Sequence, residues 1–161
     1  MWVVVAAVVA AVAIVVVVVG ITLGDSDGGT TSQEDYQAAV VSARDRTNFA
    51  LGRLSRAQSV EELLERMDEA AATVNGAAGE LEDEGAPAGL EDETGRLVKQ
   101  LRTLSQDVKG TADQARVPGF EQILFGAGGL NFESWDRINA ILAELREQGV
   151  LVPALERSTT T

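Results

Sequence analysis

The first 23 residues constrain this chain most, because none of them has a charged side chain. The stretch from Val3 to Val19 consists only of Val, Ala and Ile. As a helix, a segment of this length is roughly 35 Å long, which exceeds the roughly 30 Å hydrocarbon core of a bilayer. Although valines are prone to form strands, a lipid environment favours a helix, so we predict a transmembrane helix over residues 1–23.

The residues around this segment indicate its orientation only weakly. No Lys or Arg precedes it, Asp25 and Asp27 follow it, and the first basic side chain is Arg44. The N-terminal amine therefore favours a single-pass protein in the cell membrane, with its N-terminus inside and its C-terminal domain outside. The alternative is a secreted protein, released by cleavage near Gly24. The segment lacks the basic n-region of a signal peptide and is longer than the usual apolar region of roughly 7–15 residues.

The charge distribution restricts the partners that the chain can bind. The formal net charge is −12 at pH 7, and residues 25–93 account for it with 17 acidic and 5 basic side chains. Residues 94–161 are balanced, with 8 side chains of each sign. Phosphate binding requires a basic surface, so the acidic excess argues against nucleic acid as a partner. It also argues against docking onto anionic lipid head groups.

Residue types that the chain lacks restrict its chemistry. There is no Cys, so neither a disulfide nor thiol chemistry is available. There is no His, which removes the usual general base and the commonest transition-metal ligand. We therefore expect a non-enzymatic protein without a cofactor. The bias towards Ala, Val, Gly, Asp, Glu and Arg is typical of a GC-rich bacterial genome.

Helical periodicity follows a flexible linker at residues 24–31. Apolar side chains recur at alternating steps of three and four residues, which places them on one face of each helix. We predict an all-α fold in which the transmembrane helix is followed by an antiparallel up-down bundle of about four helices. The predicted helices cover residues 32–57, 59–84, 88–116 and 131–148, within a domain at 32–157 that precedes a disordered tail at 158–161.

Capping residues mark the predicted helix ends. In the second helix, Gly76 and Gly79 either allow a close approach of a neighbouring helix or let the helix end fray. The predicted caps are Ser32 with Asp35, or Thr31 with Glu34, for the first helix, Ser59 with Glu62 for the second, and Asn131 and Gly149 at the two ends of the fourth.

Charged residues cluster around the turn between the second and third helices, where seven carboxylates lie at residues 80–84 and 91–93. Calcium takes about six to eight oxygen ligands, but the spacing matches no calcium-binding loop. We expect a solvated acidic face, with a cation site as the alternative. On the third helix, Arg102, Lys109 and Arg116 share one face, and we expect them to form ion pairs within the bundle.

Four of the seven aromatic residues lie within 16 positions, before and at the start of the fourth helix: Phe120, Phe125, Phe132 and Trp135. Aromatic side chains provide large contact areas both in a core and in a partner site. Closing the open end of the bundle is their ordinary role, and binding a partner is the functional alternative. These four residues form the candidate site.

These features predict the function only in outline. We expect a membrane-anchored extracytoplasmic helical bundle that binds or scaffolds another cell-envelope component. The alternative is a secreted or tethered carrier that holds a small apolar ligand between the helices of the bundle. A sensor that signals across the membrane is disfavoured, because the predicted topology leaves no cytoplasmic domain.

Overall fold

The computed structural model describes residues 31–117 and 132–156, which form four α-helices. Consecutive helices pack against one another in antiparallel fashion, so the predicted all-α bundle is confirmed. The predicted transmembrane segment at residues 1–23 lies outside the described residues. Among the described helices, none is long and apolar enough to cross a membrane. The helices are α1 Gln33–Gly52, α2 Val60–Glu84, α3 Glu91–Ala115 and α4 Glu133–Glu147, with a 3-10 turn at Leu54–Arg56 after α1.

The first two helices begin at the predicted caps. The Ser32 hydroxyl oxygen accepts a hydrogen bond from the Asp35 amide at 3.1 Å, and α1 starts directly after it. In α2 the Ser59 hydroxyl oxygen accepts from the Glu62 amide, also at 3.1 Å. The Glu62 carboxylate in turn accepts from the Gln58 amide, which lowers the pKa of Glu62. Both helix starts are therefore stabilised by side chains close in sequence.

The last two helices begin without a side-chain cap. Helix α3 starts at Glu91 and not at Ala88, because Gly89 has a φ of +91° and cannot continue a right-handed helix. The predicted N-cap Asn131 is wrong, since the cap of α4 is Phe132. The Phe132 carbonyl accepts from the Trp135 amide at 3.0 Å, and its ring packs against the core.

Helix α2 lies between α1 and α3, and alanines allow the close contact. Ala71 and Ala78 are buried, as are Ala70 and Ala77. The predicted close approach at Gly79 is wrong, because a Cβ there would meet nothing within 4 Å. At Gly76 a Cβ would lie 3.6 Å from the Arg46 guanidinium, which is an ordinary contact distance. The small side chains that allow the helices to approach are thus alanines, which favour a helix more than glycine does.

The chain reverses after α4 through a left-handed residue, as predicted for Gly149, whose φ is +90°. The Val150 amide donates to the Leu145 carbonyl at 3.0 Å, and the Gly149 amide donates to the Arg146 carbonyl at 3.1 Å. These two bonds form a Schellman motif. Residues 150–156, which we name the C-terminal strap, then run along both α1 and α4 and bury three apolar side chains in the core: Val150, Val152 and Leu155.

Candidate functional site

The antiparallel order gives the bundle two distinct ends. At the linker end, where α1 and α3 begin, the Thr31 hydroxyl donates to the Glu84 carbonyl at 2.7 Å. The Gln148 amide group donates to the Glu93 carboxylate at the same end, at 3.1 Å. At the far end, α1 and α3 finish and α4 begins. Residues 118–131, which join α3 to α4, are therefore attached at the far end.

Two of the four candidate aromatic residues lie within the described residues, and both contact the core. Trp135 is only 8% exposed, and its indole Nε1 has no hydrogen-bond acceptor among the described residues. Phe132 is partly buried and packs against the same core. The structure thus places these two side chains together in the closure of the far end. Phe120 and Phe125 lie outside the described residues.

Among the aromatic side chains that the structure describes, Phe49 is the most exposed, and it is not one of the four predicted site residues. Phe49 lies on α1 and is 68% exposed. It lines a groove of about 440 Å³ between α1 and α2, which we name the Phe49 groove. The signal that could have identified it is its register, because it lies outside the apolar stripe that includes Thr47 and Ala50. A large apolar side chain outside the buried stripe of a helix is exposed by geometry.

Arginines line the Phe49 groove, and each is paired with a carboxylate. The Arg53 guanidinium lies 3.0 Å from Glu69, and the Arg66 guanidinium lies 2.5 Å from Glu62. Arg46 pairs in the same way with Glu80. Because these charges are paired with one another, the Phe49 ring is the main apolar surface of the groove that is open to a partner. The arrangement suits an apolar or aromatic side chain of a partner, bordered by polar groups.

Three of the seven carboxylates around the turn between α2 and α3 form ion pairs with arginines: Glu80 with Arg46, Glu82 with Arg102 and Glu93 with Arg96. The Arg102 guanidinium donates to the Glu82 carboxylate at 2.5 and 3.1 Å, and this hydrogen bonding lowers the pKa of Glu82. Within the described residues, no three or more acidic side chains converge in a way that would hold a metal ion. The solvated face and the cation site both stay predictions for this turn.

The basic face of α3 also pairs within the bundle, as predicted. Arg116 donates to Asp68 on α2 at 2.5 Å, and the Lys109 ammonium lies 3.8 Å from the same carboxylate. Together with the Arg102 contact, these pairs connect α3 to α2 along its exposed side. The pKa of the Arg116 guanidinium is raised, chiefly by its hydrogen bond to Asp68. This face is therefore occupied by intramolecular partners.

Comparison with known proteins identifies no relative. No family model matches the chain, and no curated protein and no solved structure is significantly similar to it.

Proposed function

We propose that this protein is a non-enzymatic, membrane-tethered helical bundle that binds another component of the cell envelope from the extracytoplasmic side. The observation that carries the proposal is the uncharged apolar run at residues 1–23, directly before a bundle with a polar surface. Such a run is long enough to span a bilayer. The acidic bundle has no basic cluster next to the span that would hold it on the cytoplasmic side.

The position of the linker supports a particular orientation of the bundle. Residues 24–31 precede α1, so the tether joins the linker end. A flexible linker of eight residues spans roughly 15 Å on average. The linker end is rich in carboxylates. Anionic head groups repel them, so the bundle does not lie down on the membrane surface. The far end, roughly 40 Å away along helices of 25 residues, then projects from the membrane.

A partner surface at the far end is consistent with the apolar groups attached there. The Phe49 groove lies in the half of α1 that leads to this end, and Val117 is 58% exposed where α3 finishes. Phe120 and Phe125 belong to the connection between α3 and α4 at the same end. An exposed aromatic side chain such as Phe49 is common at binding sites.

The absence of histidine, the usual general base, supports a non-enzymatic function. Residues 24–28 spell Gly-Asp-Ser-Asp-Gly, which has the spacing of a serine nucleophile turn. A serine nucleophile needs a base to accept its proton. This base is most often a histidine, and the chain contains no histidine. We therefore assign these residues to the linker.

Membrane fractionation of the full-length protein tests the tether. We expect the intact 17.0 kDa protein in the membrane fraction, resistant to alkaline extraction. The double variant Val12→Arg/Val16→Arg should lose this association, because each arginine at the centre of a span costs about 2.5–3.5 kcal/mol. Val12→Leu/Val16→Leu is the matched control and should stay in the membrane. Wild-type protein in the soluble fraction, or equal behaviour of the two variants, would refute the tether.

Photo-cross-linking tests the partner surface. A photoreactive phenylalanine at position 49 should cross-link to one predominant envelope component in intact cells. The matched control carries the same group at the exposed Gln106 on α3 and should give no such product. Substitution of Phe120 and Phe125 by Ser should reduce the cross-link without lowering the thermal midpoint, whereas Trp135→Ser should lower the midpoint because Trp135 is buried. Equal cross-linking from positions 49 and 106 would contradict this surface.

A further inference from the structure

The hydrogen bonds that hold the C-terminal strap go to its main chain, and one ion pair of 3.6 Å joins Arg44 to the Glu156 side chain. The side chains that bond its main chain come from α1 and α4. We name the surface that they form the strap groove; its members are Gln37, Arg44 and Asn48 on α1 and Asn139 on α4. The Gln37 side-chain carbonyl accepts from the Leu151 amide at 2.9 Å, and the Asn48 side-chain carbonyl accepts from the Glu156 amide at 3.1 Å. On α4, Asn139 makes a pair of bonds with the main chain of Leu155, accepting at 2.7 Å and donating at 3.3 Å.

Arg44 is the centre of the strap groove. Its Nε and Nη2 groups both donate to the Ala154 carbonyl, at 2.9 and 2.6 Å. The side chain is only 14% exposed, and its Nη1 group donates to Asp45 at 2.6 Å. A partly buried arginine that grips a main-chain carbonyl with two donors recognises a peptide backbone, whatever side chain that residue has.

The side chains of the strap provide a second, apolar element of recognition. Val150, Val152 and Leu155 are buried, whereas Leu151 is 73% exposed. Pro153 keeps the residue before it extended and has no amide that would need an acceptor. Main-chain hydrogen bonds for affinity and spaced pockets for specificity are the way in which proteins bind extended peptides.

We propose that the strap groove between α1 and α4 is a peptide-binding site, and that the chain's own residues 150–156 are its resident occupant. The external ligand is an extended segment of another polypeptide with apolar side chains at its first, third and sixth positions, the pattern of Val150, Val152 and Leu155. Such a segment displaces the strap and takes over its main-chain bonds. The groove binds in this way whether or not residues 1–23 span a membrane.

Exchange requires that the strap can leave without unfolding the helices. The chain passes from α4 into the strap through Gly149. The left-handed conformation of this residue ends the helix before the strap begins. An attached segment competes at an effective concentration of roughly millimolar. The apparent affinity for an external peptide is therefore its intrinsic affinity multiplied by the fraction of molecules in which the groove is open.

Binding of a fluorescein-labelled peptide with the sequence of residues 149–156 to the full-length protein tests the proposal. In the variant Val152→Asp/Leu155→Asp the strap carries two charges that its pockets reject, so the groove is vacant. We expect the peptide to bind this variant roughly 100-fold more tightly than it binds wild type. Leu151→Asp is the matched control and should behave as wild type, because Leu151 faces solvent. A peptide with the same two Asp substitutions should not bind.

A second pair of variants locates the binding at the groove. In the strap-released background, Arg44→Met should remove most of the peptide affinity, since both donors to the main chain are lost. Arg46→Met is the matched control, because Arg46 pairs with Glu80 and does not contact the strap. An equal effect of Arg44→Met and Arg46→Met would overturn the assignment of the site.

Circular dichroism of the Val152→Asp/Leu155→Asp variant shows whether its helices stay folded, and this decides which variant is used for the binding experiment. If the double Asp variant loses its helicity, Leu155→Ala replaces it, because this change weakens the strap without adding charge. The peptide affinity should then rise as the strap is weakened. Absence of peptide binding in a helical, strap-weakened protein would overturn the proposal. A dimer of wild type that forms through exchanged straps and blocks peptide uptake would also overturn it, assigning the groove to a second copy of the chain.

Discussion

The two sides of the bundle are built on different principles. Helices α2 and α3 contact each other directly over most of their length, with small and aliphatic side chains interlocked between them. The buried Ser105 hydroxyl donates to the Ala71 carbonyl across this seam at 2.7 Å, so this hydroxyl has a hydrogen-bond partner. On the opposite side, the strap lies between α1 and α4 and holds them through side-chain bonds to its main chain.

This difference separates stability from exchange. Interlocked apolar side chains can be pulled apart only when a whole helix moves, so the α2–α3 seam opens together with the rest of the fold. The strap is one short segment at the chain terminus, with few buried side chains and several bonds to polar groups. Such a segment opens locally at a lower free-energy cost. We therefore expect the seam to contribute more to the stability of the bundle than the strap does, and the strap side is suited to binding.

The largest effect is expected from a cavity in the seam. Leu104 on α3 is fully buried, and Leu104→Ala should lower the free energy of unfolding by about 3 kcal/mol, within a range of about 2–5. Urea unfolding followed by circular dichroism measures this loss. Leu155→Ala in the strap should cost less, because the strap can detach while the helices stay folded. A greater loss for Leu155→Ala than for Leu104→Ala would reverse the comparison.

A smaller effect is expected from Asn139→Ala, which removes both bonds between α4 and the main chain of Leu155. The expected cost is about 1–2 kcal/mol. Exchange of the Leu155 and Glu156 amides should accelerate, while amides in α2 and α3 should keep their protection. Asn75→Ala on the exposed face of α2 is the matched control and should change neither quantity. Uniform acceleration over the whole molecule would indicate that the strap does not open separately.

The next effect concerns the only tyrosine, which connects α1 to α3 at the linker end. Thr94 donates its hydroxyl hydrogen to the Leu90 carbonyl at 2.7 Å, so Tyr36 donates to Thr94 at 2.6 Å. Burial raises the pKa of Tyr36 above its ordinary value of about 10. Tyr36→Phe should cost about 1 kcal/mol at neutral pH.

The raised pKa also predicts an alkaline dependence of stability. The stability that the raised pKa of Tyr36 contributes is complete below about pH 10, where the tyrosine of the unfolded chain is protonated. This stability is lost as the pH rises towards the pKa of Tyr36 in the folded protein. Absorbance at 295 nm should show native titration above that of the urea-unfolded chain, and Tyr36→Phe should lack this component. Native titration at or below the unfolded value would contradict the burial of Tyr36.

The smallest effect is expected from the exposed ion pair beside the seam. Arg102→Gln removes the partner of Glu82, and solvent screening should leave the urea midpoint unchanged within error. The same variant should raise the pKa of Glu82 towards its ordinary value, because the hydrogen bond that lowers it is lost. Carboxyl NMR titration measures this shift. A large loss of stability would show that exposed pairs, and not the apolar seam, join α2 to α3.

The parts of the fold that local chemistry determines could be predicted from the sequence. Ser32 and Ser59 start helices through bonds to residues three positions away, and Gly149 ends one through its positive φ. The predicted N-cap of α4 was wrong, since Asn131 lies outside the described residues and the residue at the cap is Phe132, which packs against the core.

The candidate site was less predictable than the fold. Aromatic clustering singled out Trp135, but burial is decided by tertiary packing, and Trp135 belongs to the core. Phe49 was detectable from its position outside the apolar stripe of α1. The strap was not detectable as a ligand-like segment, because its bonds join Leu151 and Glu156 to side chains more than 100 positions earlier in the chain.

Amide hydrogen exchange of the full-length wild-type protein tests the central claim most directly. The Leu151, Leu155 and Glu156 amides report on the strap, and amides of α3 such as that of Leu104 report on the seam. We predict that the strap amides exchange at least about 100-fold faster, with little dependence on low denaturant concentrations, as expected for local opening. Equal exchange rates with the same denaturant dependence at both places would show that the strap opens only when the bundle unfolds, which would contradict the account.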